Sequence, residues 1–298
     1  MSLSERISYV YGPVYSWRSG NSLGIDPIGT ISTCSFNCSY CQLGQIQNIT
    51  TERKIYVKTE SIIEDLKKAR VDFSQLDVIT FAGSGEPSLA LNLGEIILEI
   101  RKWLKQKVPI SILTNATLLN DPQVRADLKM ADLISLKLDA VDELSLKSIN
   151  QADQSLSLSS ILDGIKLLKS ELEGESPQLQ LQIMFMPKFA GDKGYLNRLA
   201  EIISDLGIYK IQINTPTRAK PKSGKDYWIE TRGNHYKEEN KDINSDVKSS
   251  SSVAKEFIDL PVISKEQAFF IEDYLISLIG KDFNKQKQSL EIKNVYRR

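Results

Sequence analysis

The residues with the most reactive chemistry in this chain are three cysteines, Cys34, Cys38 and Cys41. They sit within the stretch CSFNCSYC and are the chain's whole thiol complement. An odd number cannot close into a complete disulfide set. Zinc ordinarily takes four protein ligands, or three and an open position, and its cysteines come as C-x2-C pairs with a distant partner pair. No second pair exists here, and the single histidine, His235, lies far off in a polar stretch. Cysteines acting as small core residues would be scattered along apolar faces rather than gathered beside Ser and Asn. The remaining chemistry is an iron–sulfur centre. A four-iron cube on three thiolates leaves one iron without a protein ligand. A small molecule can chelate there through an amine and a carboxylate, beside a strong one-electron donor.

Such a loop needs a scaffold, and the sequence supplies a repeating one. Apolar runs rich in Ile, Val and Leu occur at 23–32, 76–82, 108–114, 132–139, 179–186 and 208–214, as expected of buried parallel strands. Amphipathic helical patterns alternate with them at 59–70, 91–106, 121–131, 156–172 and 195–207. Thr59 reads as a helix N-cap, and Asp121-Pro122 as a cap followed by Pro at the first helical position. About six strand–helix units argue an α/β fold with a parallel sheet. They are too few to close an eight-fold barrel. Functional groups of parallel barrels sit at the C-terminal ends of the strands, and the cysteine loop follows the first strand.

The expected organisation is a core over 1–216, a basic segment and polar loop over 217–256, and a C-terminal helix and tail over 257–298. The basic segment holds Arg218, Lys220, Lys222 and Lys225 without an acid, and 231–256 is polar with a serine run. Ser264 and Gln267 form a capping-box signature for the last helix, whose apolar face should pack on the core. The final tail reads as polar and frayed.

The spacing C-x3-C-x2-C, with the aromatic Tyr40 before the last cysteine, resembles the signature of the radical S-adenosylmethionine (SAM) superfamily. The resemblance implies a 4Fe-4S cluster on Cys34, Cys38 and Cys41, with SAM at the open iron and Tyr40 beside the cofactors. It further implies reductive cleavage of SAM to methionine and a 5′-deoxyadenosyl radical, which abstracts hydrogen from a substrate. The implied fold is a partial (β/α)6 TIM-like barrel with a C-terminal extension. The implied partner is a one-electron reductant of the ferredoxin or flavodoxin kind.

The other strand ends extend the resemblance. In FAGSGEPSL (81–89), Ser84-Gly85-Glu86-Pro87 resembles the superfamily's GGEP motif with Ser for the first Gly. This implies that Gly83, Ser84, Gly85, Glu86 and Pro87 meet the amino group of SAM, and an acid with backbone carbonyls suits an ammonium ion. An ordinary tight turn is the alternative. Thr114 and Asn115 end the third strand; Asn115 either faces SAM or substrate, or shapes the turn. In LISLKLDA (133–140), Ser135, Lys137 and Asp139 share one face by the period of two. The resemblance places Ser135 and Asp139 near the SAM ribose or carboxylate; the alternative is a solvated outer face. If the face points inward, Lys137 needs a partner there. Gln212 and Asn214 share a face of the sixth strand, where the resemblance implies contacts to adenine or ribose, and an amide offers a purine edge both donor and acceptor.

The lead-in YVYGPVYSWRSGNSLGIDPIG (9–29), the GSGEPSL loop and the NTP segment at 214–216 resemble a branch related to the wyosine-forming tRNA enzymes. Arg18 in this lead-in either reaches the active site or belongs to a strap closing the barrel's bottom. Wyosine-forming enzymes carry further cysteines for a second cluster, which this chain lacks, so pyruvate condensation is not expected. A tRNA or other RNA substrate rests on the branch and on the basic stretch, which could track phosphates. A small metabolite, lipid precursor or protein substrate is the alternative. It is favoured by the formal charge, since 38 Lys and Arg balance 38 Asp and Glu, so the global basic footprint of a nucleic-acid binder is absent. An iron–sulfur electron carrier is the reading from a different class. At 41% hydrophobic the 298-residue chain can bury a sizeable core. With no apolar run of about 18 residues and no secretory signal at its start, a cytoplasmic location without a membrane span is expected. The oligomeric state is not legible.

Overall fold

The computed structural model describes residues 8–104, 108–172, 177–217, 220–221, 257–258, 260–283 and 290–296. His235, Arg218, Lys222, Lys225 and the polar loop 231–256 lie outside the described residues. Strands form in all six expected apolar runs, but the first run, 23–32, is strand only as far as Ile25 and continues as loop. The strands are β2 (Gly20–Ile25), β5 (Val78–Phe81), β6 (Ile110–Thr114), β7 (Leu133–Lys137), β8 (Gln178–Met184) and β9 (Lys210–Asn214). Between β2 and β5, two short strands, β3 (Thr33–Cys34) and β4 (Asn48–Ile49), pair in parallel around the cysteine loop. Two further short strands, β10 (Lys220–Pro221) and β11 (Phe257–Ile258), pair antiparallel.

The main sheet is larger than the six strands expected. Among the described residues it runs β1-β2-β5-β6-β7-β8-β9-β12, with β1 (Val10–Ser16) antiparallel to β2 and β12 (Glu291–Asn294) parallel to β9. The expectation of a frayed tail is therefore corrected over 291–294. Ile292 is buried beside Ile211, and buried Asn294 donates to the Glu272 carboxylate. A four-residue polar strand carries little local signal; its structure comes from the open edge of β9 and from a tertiary partner.

The helices are α1 (Thr59–Lys68), α2 (Leu93–Trp103), α3 (Pro122–Leu128), α4 (Glu143–Ser145), α5 (Leu158–Ser170), α6 (Pro187–Ala190), α7 (Lys193–Leu206) and α8 (Lys265–Phe283). Asp121 caps α3, accepting from Gln123 N at 2.8 Å, with Pro122 at the first position. Ser264 and Gln267 make the expected reciprocal box, with bonds of 2.8 and 3.2 Å. Thr59 is not the cap of α1, which falls on Lys58. Its hydroxyl instead accepts from Asn92 Nδ2 at 2.9 Å, a partner more than thirty positions away that no local pattern announces. The residues between β7 and α5 form α4 and a π-turn over Leu146–Asn150 that ends on Gln151 at φ +46°.

Register divides the sheet into two chemically different faces. Leu23, Ile79, Ile112, Ile134, Leu181 and Ile211 face the helices and belong to the core. The other face carries Thr80, Ser111, Ser135, Lys137, Gln180, Gln182, Gln212 and Asn214. These polar side chains are mostly buried as well, against one another, as in a sheet that curls around its own inner face. Because β2, β5–β9 and β12 run in parallel, their C-terminal ends share one rim.

Ile134→Ala should cost about 2–5 kcal/mol, because a fully buried side chain leaves a cavity between sheet and helices. A lowered urea midpoint with an unchanged slope would register it. Tyr15→Ala, at a side chain 81% exposed, should stay within about 0.5 kcal/mol.

Candidate redox and cofactor site

The cysteine loop leaves the rim after β2 and is stitched at once to the loop after β5. Thr33 N donates to Ser84 O at 2.9 Å, and Glu86 N donates to Thr33 O at 3.0 Å. The two backbones lie so close that a Cβ on Gly85 would sit 1.6 Å from Thr33 O. Gly85 is therefore required by close approach. Asp26, fully buried, ties the same corner. Its carboxylate accepts from Ile28 N and Gly29 N on one side, and from Ser84 N and Ser84 Oγ on the other, at 2.7–3.2 Å. Gly83, at φ +151°, leaves room for that carboxylate, which a Cβ would meet at 2.4 Å.

Glu86 holds the next loop. Its Oε1 accepts from Ser88 N at 3.0 Å and Thr114 Oγ1 at 2.7 Å, and its Oε2 from Asn115 N at 2.7 Å. The carboxylate is thus engaged by the protein and braces β5 against β6. Pro87 begins a short 3-10 turn capped by Glu86. Asn115 likewise turns into the protein. Its Oδ1 accepts from Thr117 N and Oγ1, while its Nδ2 donates to Ser35 Oγ at 2.8 Å and to Cys34 Sγ at 3.5 Å.

A second node lies beyond β7. Asp139 Oδ2 accepts from Tyr40 OH and from Asn150 Nδ2, the latter at 2.8 Å. Asp139 Oδ1 accepts from Met184 N at 2.8 Å and faces Lys137 Nζ at 3.3 Å. Tyr195 OH donates to the main-chain carbonyl of Asp139 at 2.5 Å. Asp139 is thus a buried junction joining the cysteine loop, β7 and β8. Asn150 Nδ2 also reaches Cys38 Sγ at 3.5 Å. Main-chain bonds from Asn37 N to Asn150 O, Ser39 N to Ile149 O and Asp153 N to Ser35 O lace the loop to 149–153.

The electrostatics of the loop are set from outside it. No charged residue occurs between Asp26 and Glu52. Burial, then the negative charge of Glu86, pushes the Cys34 thiol up. Burial, then Asp139, pushes the Cys38 thiol up to about 12. Burial raises the carboxyl of Glu86 as well. Thiols so placed ionise when a cation meets them, and metal binding there releases protons. None of the three is in a disulfide. Among the described residues, no three of His, Cys, Asp and Glu gather closely enough to hold one metal ion. Side-chain amide N–H groups are aimed at two of the three sulfurs, Cys34 and Cys38.

The polar face of β7 points inward, as one of its two readings required. Lys137 finds Asp139 and lies over the Tyr40 ring, 5.1 Å from its centroid. Below it, Gln182 Nε2 donates to Gln212 Oε1 at 3.3 Å, Gln212 Nε2 to Gln180 Oε1 at 3.2 Å, and Gln180 Nε2 to Ser135 Oγ. Ser135 and Gln212 are thus members of a buried amide column inside the curl. At the rim, Asn214 is buried and its Nδ2 has no hydrogen-bond partner among the described residues. Arg18 is at the opposite end, beside a cavity of about 100 Å³ with Trp17, Lys210 and Lys293. That location fits the bottom-strap reading and corrects the active-site one. A depression of about 470 Å³ on the outside of α2 and α3 shares no residue with the rim. Sequence reasoning missed Asp26, Asn150 and Tyr195. Only the alternation in SLGID could have flagged Asp26, as a polar residue on the inner face.

Gly85→Ala should lower iron uptake, by about 10- to 100-fold in affinity, because the loop beneath Cys34 must move. Iron per chain after anaerobic reconstitution measures this. Gly191→Ala, where a Cβ would meet nothing within 4 Å, should load normally.

Known proteins agree with this architecture. The family model described as "Radical SAM superfamily" matches residues 28–190. A UPF0026 protein of Synechocystis sp. is 48% identical over 226 residues, covering 76% of this chain and 81% of that protein. The solved structure described as native anSMEcpe with bound AdoMet superposes with a TM-score of 0.53 at 17% identity, covering 91% of this chain and 64% of that one. A spore photoproduct lyase variant does so with a TM-score of 0.54 at 14% identity, over 93% and 78%. The mostly parallel α/β sheet of this chain therefore matches the fold of those proteins, and no described helix is long and apolar enough to cross a membrane. On the strength of the match across 28–190, with the three cysteines inside it, the chain belongs to the radical SAM superfamily.

Proposed function

We propose that this chain is a radical SAM enzyme, in which Cys34, Cys38 and Cys41 hold a 4Fe-4S cluster and SAM occupies the adjoining rim. The observation that carries this reading is the stitched loop: three thiols on one segment, fixed by backbone contacts to Gly85 and by buried carboxylates, at the C-terminal end of a parallel sheet. When bound, the cluster supplies the electron that splits SAM into methionine and a 5′-deoxyadenosyl radical, for which a ferredoxin- or flavodoxin-like protein is the proposed reductant. Asp26, Glu86 and Asp139 keep the loop in place. Lys137 and Asn214 present donors to whatever enters the rim. The unpartnered, buried Nδ2 of Asn214 fits a ligand rich in acceptors, such as a purine or ribose. The amide column of Gln180, Gln182 and Gln212 closes the space below and keeps water from the reacting atoms.

For the substrate we propose a polar molecule, and from the lead-in, GSGEPSL and NTP resemblance an RNA nucleoside in first place. A small metabolite, lipid precursor or protein segment is the alternative. The relatives described above are UPF0026 and other radical SAM proteins, and the wyosine-related branch does not follow from them.

Anaerobic protein loaded with iron and sulfide should form 5′-deoxyadenosine from SAM on adding dithionite, and Cys34→Ala, Cys38→Ala or Cys41→Ala should bring this to the level without protein. A loaded wild type that leaves SAM intact would refute the assignment and favour an electron carrier. Bulk tRNA should retard the protein in a gel at low salt and release it as salt rises; no retardation would move the substrate to the alternative class.

A further inference from the structure

Two asparagines stand in matched positions against the cysteine loop. Asn115 follows β6 and Asn150 ends the π-turn after β7, and they are 6% and 1% exposed. Each divides its side-chain NH2 between a cysteine sulfur and an oxygen of the bracing network. For Asn115 the acceptors are Cys34 Sγ at 3.5 Å and Ser35 Oγ at 2.8 Å. For Asn150 they are Cys38 Sγ at 3.5 Å and Asp139 Oδ2 at 2.8 Å. The orientation of the first amide is fixed by Thr117, whose N and Oγ1 both donate to Asn115 Oδ1. That of the second is fixed by its acceptors, since sulfur and carboxylate both require the nitrogen side.

We propose that Asn115 and Asn150 are positioning residues that raise the midpoint potential of the redox centre held by the three thiols. The inference rests on the cluster reading of the preceding section. Each electron added to an iron–sulfur centre places negative charge on its sulfurs, and an N–H aimed at a sulfur stabilises that charge. The need for such donors is local. The loop has no charged residue between Asp26 and Glu52, and buried carboxylates stand beside both asparagines: Glu86 accepts from Asn115 N, and Asp139 from Asn150 Nδ2. Asn150 lies between the carboxylate and the sulfur and bonds to both. It ties Asp139 in place while turning a positive dipole toward Cys38. Asn115 does the same for Cys34, with Ser35 in place of the carboxylate. A merely structural role would need the oxygen contacts alone, and the bonds to sulfur would then leave the potential unmoved.

The test is a redox titration, followed by electron paramagnetic resonance, of protein loaded anaerobically with iron and sulfide, without SAM or substrate. Asn115→Leu and Asn150→Leu keep the forked shape of the side chain and remove the donor. Each should shift the midpoint to a more negative value at undiminished iron per chain, and the double variant should shift it further than either. Full loading with an unchanged midpoint overturns the proposal. A second measurement needs no variant: wild-type protein carrying 15N only in asparagine side-chain amides should show nitrogen coupling to the reduced centre in pulsed resonance. No coupling overturns the proposal whether or not the leucine variants load. A wild type that takes up no iron and sulfide overturns the cluster reading and this inference with it, whereas normal loading with unmoved potential overturns this inference alone.

Discussion

The site depends first on two backbones that touch. Thr33 and Gly85 exchange main-chain hydrogen bonds through Ser84 and Glu86 at a separation that excludes any side chain at position 85. A loop tethered only through its own turns would wander, because each free residue carries backbone entropy that folding must overcome. Here the segment bearing the cysteines is bonded to the end of β5 as if it were a further strand, so the thiols inherit the rigidity of the sheet. Asp26 strengthens the corner with four hydrogen bonds from two loops, and losing that acceptor would leave several buried donors unpaired.

The second organising feature is a division of labour among buried carboxylates. Asp26, Glu86 and Asp139 are each almost fully buried, yet each is surrounded by protein donors. That is how a low-dielectric interior tolerates such groups. Their common effect is mechanical: each joins loops that follow different strands. Glu86 and Asp139 are also unfavourable to thiolate at Cys34 and Cys38, and this is answered by amide dipoles, by Lys137 near Asp139, and by the cationic centre that the thiols are proposed to hold. The Asn214 amide differs from these carboxylates: its buried Nδ2 has no hydrogen-bond partner among the described residues.

The two faces of the sheet explain why one fold serves both stability and chemistry. The helix-facing side is almost wholly Ile, Leu and Val, which gives the core its packing. The inner side is amide and hydroxyl, closed on itself by side-chain bonds rather than by apolar contact. Parallel strands buried on both sides usually read as continuous apolar runs. The alternation in LISLKLD and LQLQIM is what marks these strands as enclosing a polar interior.

The sequence by itself determined the strand–helix rhythm, the caps at Asp121 and Ser264, and the gathering of three thiols at a strand end. These follow from local periodicity, local hydrogen bonding and spacing along the chain, all of which are written within a few residues. Tertiary structure alone decided that Glu86, Asn115 and Asp139 bond to protein, and that Arg18 lies at the far end of the sheet. It alone revealed Asp26 and Asn150 as braces, and it alone made a strand of Glu291–Asn294. The physical reason is the same in each case. A polar side chain takes whichever partner the folded chain brings to it, and Asp26–Ser84, Asn115–Cys34 and Asn150–Cys38 are meetings across long stretches of sequence that no local pattern encodes.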